Sequence, residues 1–512
     1  MAIKYREIAV SEFFEKNKHL LGYDNPTKAL LTVVKEGVDN SLDATEEAGI
    51  LPNIFVRIKN LKEDKFEVTI EDNGPGIEKR FVKEVFGRLL FGSKFRSLGE
   101  EGIQSRGQQG MGISSAILYS QLTTGEPAFI ESKLKNKQHY SCNLYIDTSK
   151  NIPIVSNEKN LEPTEEQGTK IILKLKGSYR RSKGVDDYIK YVSVTNPHAQ
   201  IIYIDPEGKK HFFKRATNKL PKMPISIKPH PQGIELGTLI KMLARTKSKN
   251  LYNFLRNDFS KVGDTAAREI LFSFQAKKAK LKPSMKPTEV TKPQAEMLLN
   301  AMQTVKLQRP PTNCLSPIGE DNLIKGLSKE YKADFVTACT RPVTVYRAIP
   351  FQVEVGLLYS TELPEDQTID LIRYANKVPM MYQQSECAIY KAVVGTHWRR
   401  YGLNQPKGSL PIGPVVLAVH IASVWVPFIS EGKQALASYP EIIKEIKLAL
   451  SEVGRKLYRY LSAQRRRYAR ERRIKIFKKY GTEVARALSD LTKEDRENIE
   501  RLLNKIIEKE GL

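Results

Sequence analysis

The sequence predicts a multidomain α+β protein, and three observations carry that expectation. Within the first 230 residues, alternating strand-like segments are interrupted by glycine-rich turns and helix-compatible runs. Proline-dense stretches at residues 220–231 and 308–312 then bracket a segment patterned only for helices. Finally, Ile442, Ile446, Leu450, Val453 and Leu457 trace one face of a long helix. A chain of 512 residues with 40% hydrophobic content can bury several cores, and two to four domains are expected.

Ser11-Glu12-Phe13-Phe14 suits a helix start and Tyr23-Asp24-Asn25-Pro26 a turn, so the first 25 residues read as an arm that packs locally or reaches a second copy. In the next segment Leu30, Val34 and Val38 recur at helical spacing, which puts Glu36, Asn40 and Asp43 near one polar face. A carboxamide one turn from a carboxylate can offer an oxygen to Mg²⁺ while the carboxylate polarises a water. Taken alone, the same pattern also describes a solvated helix face. Residues 65–71 alternate like a half-buried strand and run into Asp72-Asn73-Gly74-Pro75-Gly76-Ile77. A carboxylate at a strand end can accept from an exocyclic amine such as adenine N6, and glycines let a ring lie against the backbone.

The segment at 86–95 has glycines at 87 and 92, which suggests a movable lid from which Ser93 and Lys94 touch a sugar or phosphates; a plain surface turn is the alternative. Arg106-Gly107-Gln108-Gln109-Gly110-Met111-Gly112-Ile113-Ser114 then opens a helix-compatible run at 115–119. Free N–H groups and the positive end of the helix dipole favour phosphate there.

The order of these three motifs, all between Glu36 and Ser114, resembles the nucleotide site of the gyrase, heat-shock chaperone, histidine kinase and mismatch-repair ATPase superfamily. The resemblance implies a Bergerat-type α/β sandwich over residues 1–228 that binds and hydrolyses ATP with Mg²⁺. By it, Glu36 is the general base, Asn40 the Mg²⁺ ligand and Asp72 the adenine acceptor. Gly107, Gln108, Gln109, Gly110, Met111, Gly112, Ile113 and Ser114 form the phosphate lid. Thr169, ahead of the alternating residues 170–175, sits near adenine. The P-loop pattern is different, so this is another way of holding ATP. Gly37 stands where the family carries a larger apolar residue; a mid-helix glycine costs about 1 kcal/mol relative to alanine, and slight loosening of the helix is expected.

Lysine and arginine number 83 against 58 aspartates and glutamates, a net charge of +25, so a polyanionic partner is expected and nucleic acid leads. The basic loop around Arg180, Arg181 and Lys183 is suited to phosphates. Cys142, Cys314, Cys339 and Cys387 are far apart, which disfavours zinc and fits a reducing cytoplasm. No signal-peptide core and no apolar run of about 18 residues is present, so a soluble cytoplasmic protein without a membrane partner is expected. Residues 229–310 read as an insert with helices at 251–255 and 262–271, the second capped by Asp264 or Thr265, similar to the helix-two-turns-helix fold of some DNA-binding proteins.

Beyond the insert, residues 351–359, 371–379 and 415–423 each read as a strand. Here Arg373-Tyr374-Ala375-Asn376-Lys377-Val378-Pro379, Trp398-Arg399-Arg400-Tyr401-Gly402, Val426-Pro427-Phe428 and Glu431-Gly432-Lys433 resemble the B subunits of the archaeal type IIB DNA topoisomerases, over nearly the whole chain. That resemblance makes residues 311–470 an α/β transducer domain with a long C-terminal stalk helix, and residues 471–512 a basic helical tail. It places Lys433, ahead of the helix-compatible residues 434–437, on the terminal phosphate, and Trp398, Arg399 and Arg400 on DNA. Some relatives append a β-sandwich, for which too little chain follows the stalk here. It further implies an ATP-driven clamp that dimerises on ATP with exchange of the N-terminal arm, captures double-stranded DNA and passes it through a break made by a DNA-cleaving A subunit in an A2B2 heterotetramer. Mismatch-repair-type and chaperone-type clamps are the rival readings. A histidine kinase is disfavoured, since His19, His139 and His198 lie in no phosphoacceptor helix.

Overall fold

The computed structural model describes residues 10–91, 102–107, 110–430 and 432–509. Ser93, Lys94, Gln108 and Gln109 lie outside the described residues.

The alternating segments of the first third become one mixed sheet. Its strands are β1 (Asn53–Lys62), β2 (Lys65–Asp72), β3 (Ala128–Leu134), β4 (Gln138–Asp147), β5 (Ile152–Leu161), β6 (Gly168–Lys176), β7 (Gln200–Ile204) and β8 (Lys210–Phe213), in the spatial order β5-β4-β3-β6-β2-β1-β7-β8. Ile54, Val56 and Ile58 of β1 and Phe66, Val68 and Ile70 of β2 are buried, while the residues between them, apart from buried Thr69, are more open, so the sheet has one apolar face. Against that face pack α2 (Pro26–Glu47), α3 (Lys79–Gly87) and α4 (Gly112–Thr124), with α5 (Val185–Thr195) beside α2. The arm begins with α1 (Val10–Asn17); Phe14 is buried edge-on to Tyr23, which stacks on Tyr119, so this part packs locally.

Helix α2 starts where its sequence allows. The Asn25 side chain accepts from Lys28 N at 2.9 Å and Pro26 occupies the first turn. Gly37 leaves no break in this helix. The helix runs unbroken, Gly37 is buried, and a Cβ there would lie 2.2 Å from Ile70 Cδ1. Ile70 of β2 already fills the space a larger residue at 37 would take, so leucine there would have to displace it.

A second layer of helices has its own core: α6 (Leu236–Arg245), α7 (Leu251–Asp258), α8 (Asp264–Phe272), α9 (Phe274–Lys278) and α10 (Lys292–Thr304) bury Leu239, Phe254, Leu255, Ile270 and Leu298 among themselves. The cap of α8 is Gly263 rather than Asp264 or Thr265, because Asp264 is already helical and its carboxylate bonds Tyr252 and Arg256.

The third unit is a six-stranded sheet with β9 (Phe335–Thr340), β10 (Thr344–Tyr346), β11 (Ile349–Tyr359), β12 (Asp370–Ala375), β13 (Val378–Pro379) and β14 (Val415–Ser423). All of β14 is buried, because both faces are covered. One face meets α11 (Glu320–Glu330), which contacts α5 so closely that a Cβ on Gly326 would lie 1.9 Å from Val194 O; the first and third units are joined there. The other face meets α12 (Ala388–Val394) and the root of α13 (Pro440–Thr492) through Ile442, Ile446, Leu450, Val453 and Leu457.

Three expectations are corrected in this unit. Residues 371–379 form a hairpin, not one strand, since Asn376 (φ 48°) and Lys377 (φ 70°) are both left-handed and reverse the chain. Residues 434–437 are not helical; Leu436 bridges to Phe428 and the helix starts only at Pro440. The stalk is also continuous through residue 470 and ends at Thr492, where Lys493 (φ 63°) turns the chain into α14 (Arg496–Lys509), which packs back on α13.

Candidate functional site

A cavity of about 630 Å³ opens between α2, the end of β2, the start of α4 and the 432–434 segment of the third unit. Glu36, Asn40, Asp72, Gly107, Gly110, Met111, Gly112, Ile113, Ser114, Thr169 and Lys433 all line it. The helical spacing explains the first pair: the apolar residues of α2 face the sheet, so Glu36 and Asn40, one turn apart, face the opening.

Asp72 ends β2 and is pinned by its neighbours. Oδ2 accepts from Ser41 Oγ at 2.9 Å, and Oδ1 from Gly74 N at 2.9 Å and Thr169 N at 3.2 Å. Burial pushes its carboxyl up, against the lowering effect of these three bonds. Gly168 (φ 142°) allows this approach, since a Cβ there would lie 1.9 Å from Asp72 O. Thr169 therefore belongs to the site through its backbone as well as its place on the wall.

At the opposite end, α4 starts at Gly112 and, among the described residues, no side chain caps it, so its first N–H groups can meet an anion. Gly112 passes so near Glu36 that a Cβ would come 2.0 Å from Oε2. The phosphate-type loop and the carboxylate are thus in contact only because residue 112 has no side chain.

Two residues that motif reading passed over support the site, Lys35 at Glu36 and Arg106 at Lys433. Lys35 Nζ lies 3.1 Å from Glu36 Oε1 and 3.4 Å from Asp39 Oδ2, and Tyr188 OH donates to Asp39 Oδ1 at 3.0 Å. Burial raises the Glu36 carboxyl, but the ammonium groups of Lys35 and Lys433 outweigh it and hold the group below its usual range. The second is Arg106, whose main-chain carbonyl accepts from Lys433 Nζ at 3.4 Å. Burial and the neighbouring Lys35 lower the Lys433 ammonium, with Glu36 opposing them. The signal for Lys35 was only its position beside Glu36; Arg106 was visible as the first residue of the glycine motif, without any sign of its partners.

The cavity wall carries polar groups that a bound ligand could meet. The buried hydroxyls of Tyr23 and Ser115, both on the wall, have no hydrogen-bond partner among the described residues. The side-chain oxygen of exposed Asn40 is available for a hard cation. Among the described residues, no cluster of three or more His, Cys, Asp or Glu side chains is arranged to hold a metal.

The sequence-predicted DNA residues divide. Arg180, Arg181 and Lys183 are exposed on the loop between β6 and α5, where Arg181 pairs with Glu207. Arg399 and Arg400 are exposed on the turn after α12. Trp398 is a correction: it has no exposed surface, and its indole N–H donates to Val393 O at 2.8 Å. The helical turn points the two arginines outward and the tryptophan into the core, so its role is packing.

Residues 310–473 match the family described as Topoisomerase VI B subunit, transducer, and residues 25–178 match the Histidine kinase-, DNA gyrase B-, and HSP90-like ATPase family. The chain is 46% identical over 510 residues to the B subunit of type 2 DNA topoisomerase 6 from Archaeoglobus fulgidus, covering 99% of this chain and 83% of that protein. It is 38% identical over 550 residues to the protein of the same description from Pyrococcus furiosus, covering 99% and 95%. Among solved structures, the B-subunit of the DNA gyrase from Myxococcus xanthus aligns with a TM-score of 0.43 at 10% identity, over 88% of this chain and 95% of that one.

Proposed function

Since the chain belongs to the family of type 2 DNA topoisomerase 6 B subunits, we propose that it is the ATP-hydrolysing, Mg²⁺-dependent clamp of a type IIB topoisomerase. Two copies close on a duplex when ATP binds, and a DNA-cleaving A subunit, in an A2B2 assembly, supplies the break through which that duplex passes. The observation that carries this reading is the reach of Lys433, from the third unit, into the cavity formed by Glu36, Asn40, Asp72 and the start of α4.

In this reading Glu36 accepts a proton from the attacking water, and the flanking ammonium groups keep it ionised for that task. Asp72, oriented by Ser41, Gly74 and Thr169, accepts from the adenine amine. The uncapped start of α4 holds the phosphates through main-chain N–H groups. Mg²⁺, ligated by the Asn40 side chain, would neutralise phosphate charge when bound. Lys433 reports the terminal phosphate to the sheet and stalk that carry it. Exposed Arg180, Arg181, Lys183, Arg399 and Arg400 meet DNA phosphates. No helix among the described residues is long and apolar enough to cross a membrane, which agrees with action in the cytoplasm.

Plasmid relaxation by the chain plus its A subunit tests the proposal: relaxation should require ATP, and relaxation at the same rate without nucleotide would overturn it. Lys433→Ala should lower turnover by about 10²-fold and abolish the ATP-dependent crosslinked dimer, whereas a full yield of crosslinked dimer would remove Lys433 from the mechanism. Lys35→Met removes the nearest ammonium from Glu36, whose carboxyl then titrates higher. Because the base acts ionised, the acid side of the pH–rate profile should move to higher pH, and a profile that stays in place would show that Lys35 does not tune the base.

A further inference from the structure

We infer that Arg106 is a positioning residue for hydrolysis: its buried side chain locks the main-chain carbonyl that holds the Lys433 ammonium beside Glu36. This rests on the function proposed above. The side chain has almost no freedom. Nη1 lies 2.6 Å from Asp43 Oδ1 and 3.0 Å from Glu46 Oε2; Nη2 lies 2.7 Å from Glu46 Oε1 and 2.7 Å from Asn196 Oδ1. Asp43 and Glu46 belong to the same helix as Glu36, so Arg106 is referred rigidly to the base. His198 Nε2, 2.8 Å from Glu46 Oε1, braces the cluster from behind.

The main chain beside it is fastened to the third unit. Asn376 Nδ2 donates to Ser105 O at 3.0 Å, while Gln104 accepts from Ser316 N at 2.7 Å and donates to Ser316 O at 3.1 Å. Residues 104–106 therefore form a strap gripped by the nucleotide unit through the Arg106 side chain and by the third unit through the two residues before it. Lys433 needs such an anchor. It has a left-handed backbone (φ 53°) and a four-carbon side chain with many rotamers, and its ammonium bonds the Arg106 carbonyl at 3.4 Å. Fixing that acceptor selects the rotamers that carry the ammonium into the cavity that Glu36 also lines.

A residue that only glues two units together would lower stability or nucleotide affinity without regard to Lys433. A positioning residue acts through it. Steady-state ATP hydrolysis by the full chain with duplex DNA separates the two, using Arg106→Lys, which keeps the charge but cannot reach both carboxylates and Asn196 at once. We expect kcat to fall about tenfold and KM to stay within about threefold, with less than a twofold further loss when Arg106→Lys is added to Lys433→Ala. Equal losses in both backgrounds, or a loss confined to KM, would overturn the inference. If Arg106→Lys folds poorly, Asn196→Ala removes a single bond from the cluster and leaves both ion pairs; it should give a smaller kcat loss with the same dependence on Lys433, and additive loss again overturns. Should Lys433→Ala hydrolyse ATP like the parent, the functional reading itself fails; should it be impaired while Arg106→Lys is not, only this inference fails.

Discussion

Replacing Glu36 by glutamine should leave ATP affinity within a few-fold of the parent while lowering kcat by about 10²–10⁴-fold. Glutamine has nearly the same shape, so the contact with Gly112 survives, where a Cβ would already be 2.0 Å from Oε2. What disappears is the acceptor for the water proton. The cavity's other carboxylate within the motif set, Asp72, is fixed at the end of β2 by Ser41, Gly74 and Thr169, at the opposite end of the cavity from Gly112, and is not placed to take the water proton. Titration with a fluorescent ATP analogue and single-turnover hydrolysis measure the two quantities separately. Parent-like turnover in Glu36→Gln would assign the base elsewhere.

The second large effect is on stability. Glu354→Ala should destabilise the third unit by about 3–5 kcal/mol. Glu354 lies on β11 with no exposed surface and accepts four hydrogen bonds: from His420 Nδ1 at 2.8 Å, Ile318 N at 2.8 Å, Gly319 N at 2.7 Å and Thr340 Oγ1 at 3.0 Å. Lys377 N donates to His420 Nε2 at 2.9 Å, which places the ring proton on Nδ1, facing the carboxylate. Alanine would strand these donors in a dry interior. Burial alone would raise the Glu354 carboxyl, but the bonds from His420, Ile318 and Gly319 outweigh it and hold the group below its ordinary value. Its contribution is therefore complete above the usual carboxylate range and is lost as pH falls through the lowered folded value. Urea unfolding of parent and variant at neutral pH measures the difference, and repeating it in acid should show the two curves converging. A difference under about 1 kcal/mol at neutral pH would mean that water or a neighbour replaces the carboxylate.

Much of the nucleotide cavity was legible because each of its motifs sits within one element. Glu36 and Asn40 share a helix, Asp72 ends a strand and residues 110–114 open a helix, so local spacing was enough to orient them. Lys433 was legible only through family resemblance, since its partner Arg106 is remote in the chain. The errors have a common origin in tertiary packing. Trp398 is placed on DNA by the family resemblance, yet the turn buries it against Val393. Residues 434–437 have helix-compatible side chains, but pairing of Leu436 with Phe428 outweighs that weak propensity. Residues 371–379 contain strand formers on both sides of Asn376-Lys377, and their apolar continuity hid the reversal.

The 53-residue helix α13 is held by the third unit's core as far as Leu457, with Leu461 partly buried one turn beyond. At 1.5 Å per residue the remainder to Thr492 projects about 50 Å. In the proposed clamp it would act as a lever arm. A tilt of about 10° at the root, driven by the strap and by Lys433, would sweep the far end through about 9 Å. A displacement of atomic size around a phosphate would thereby be enlarged to nearly the width of a helix.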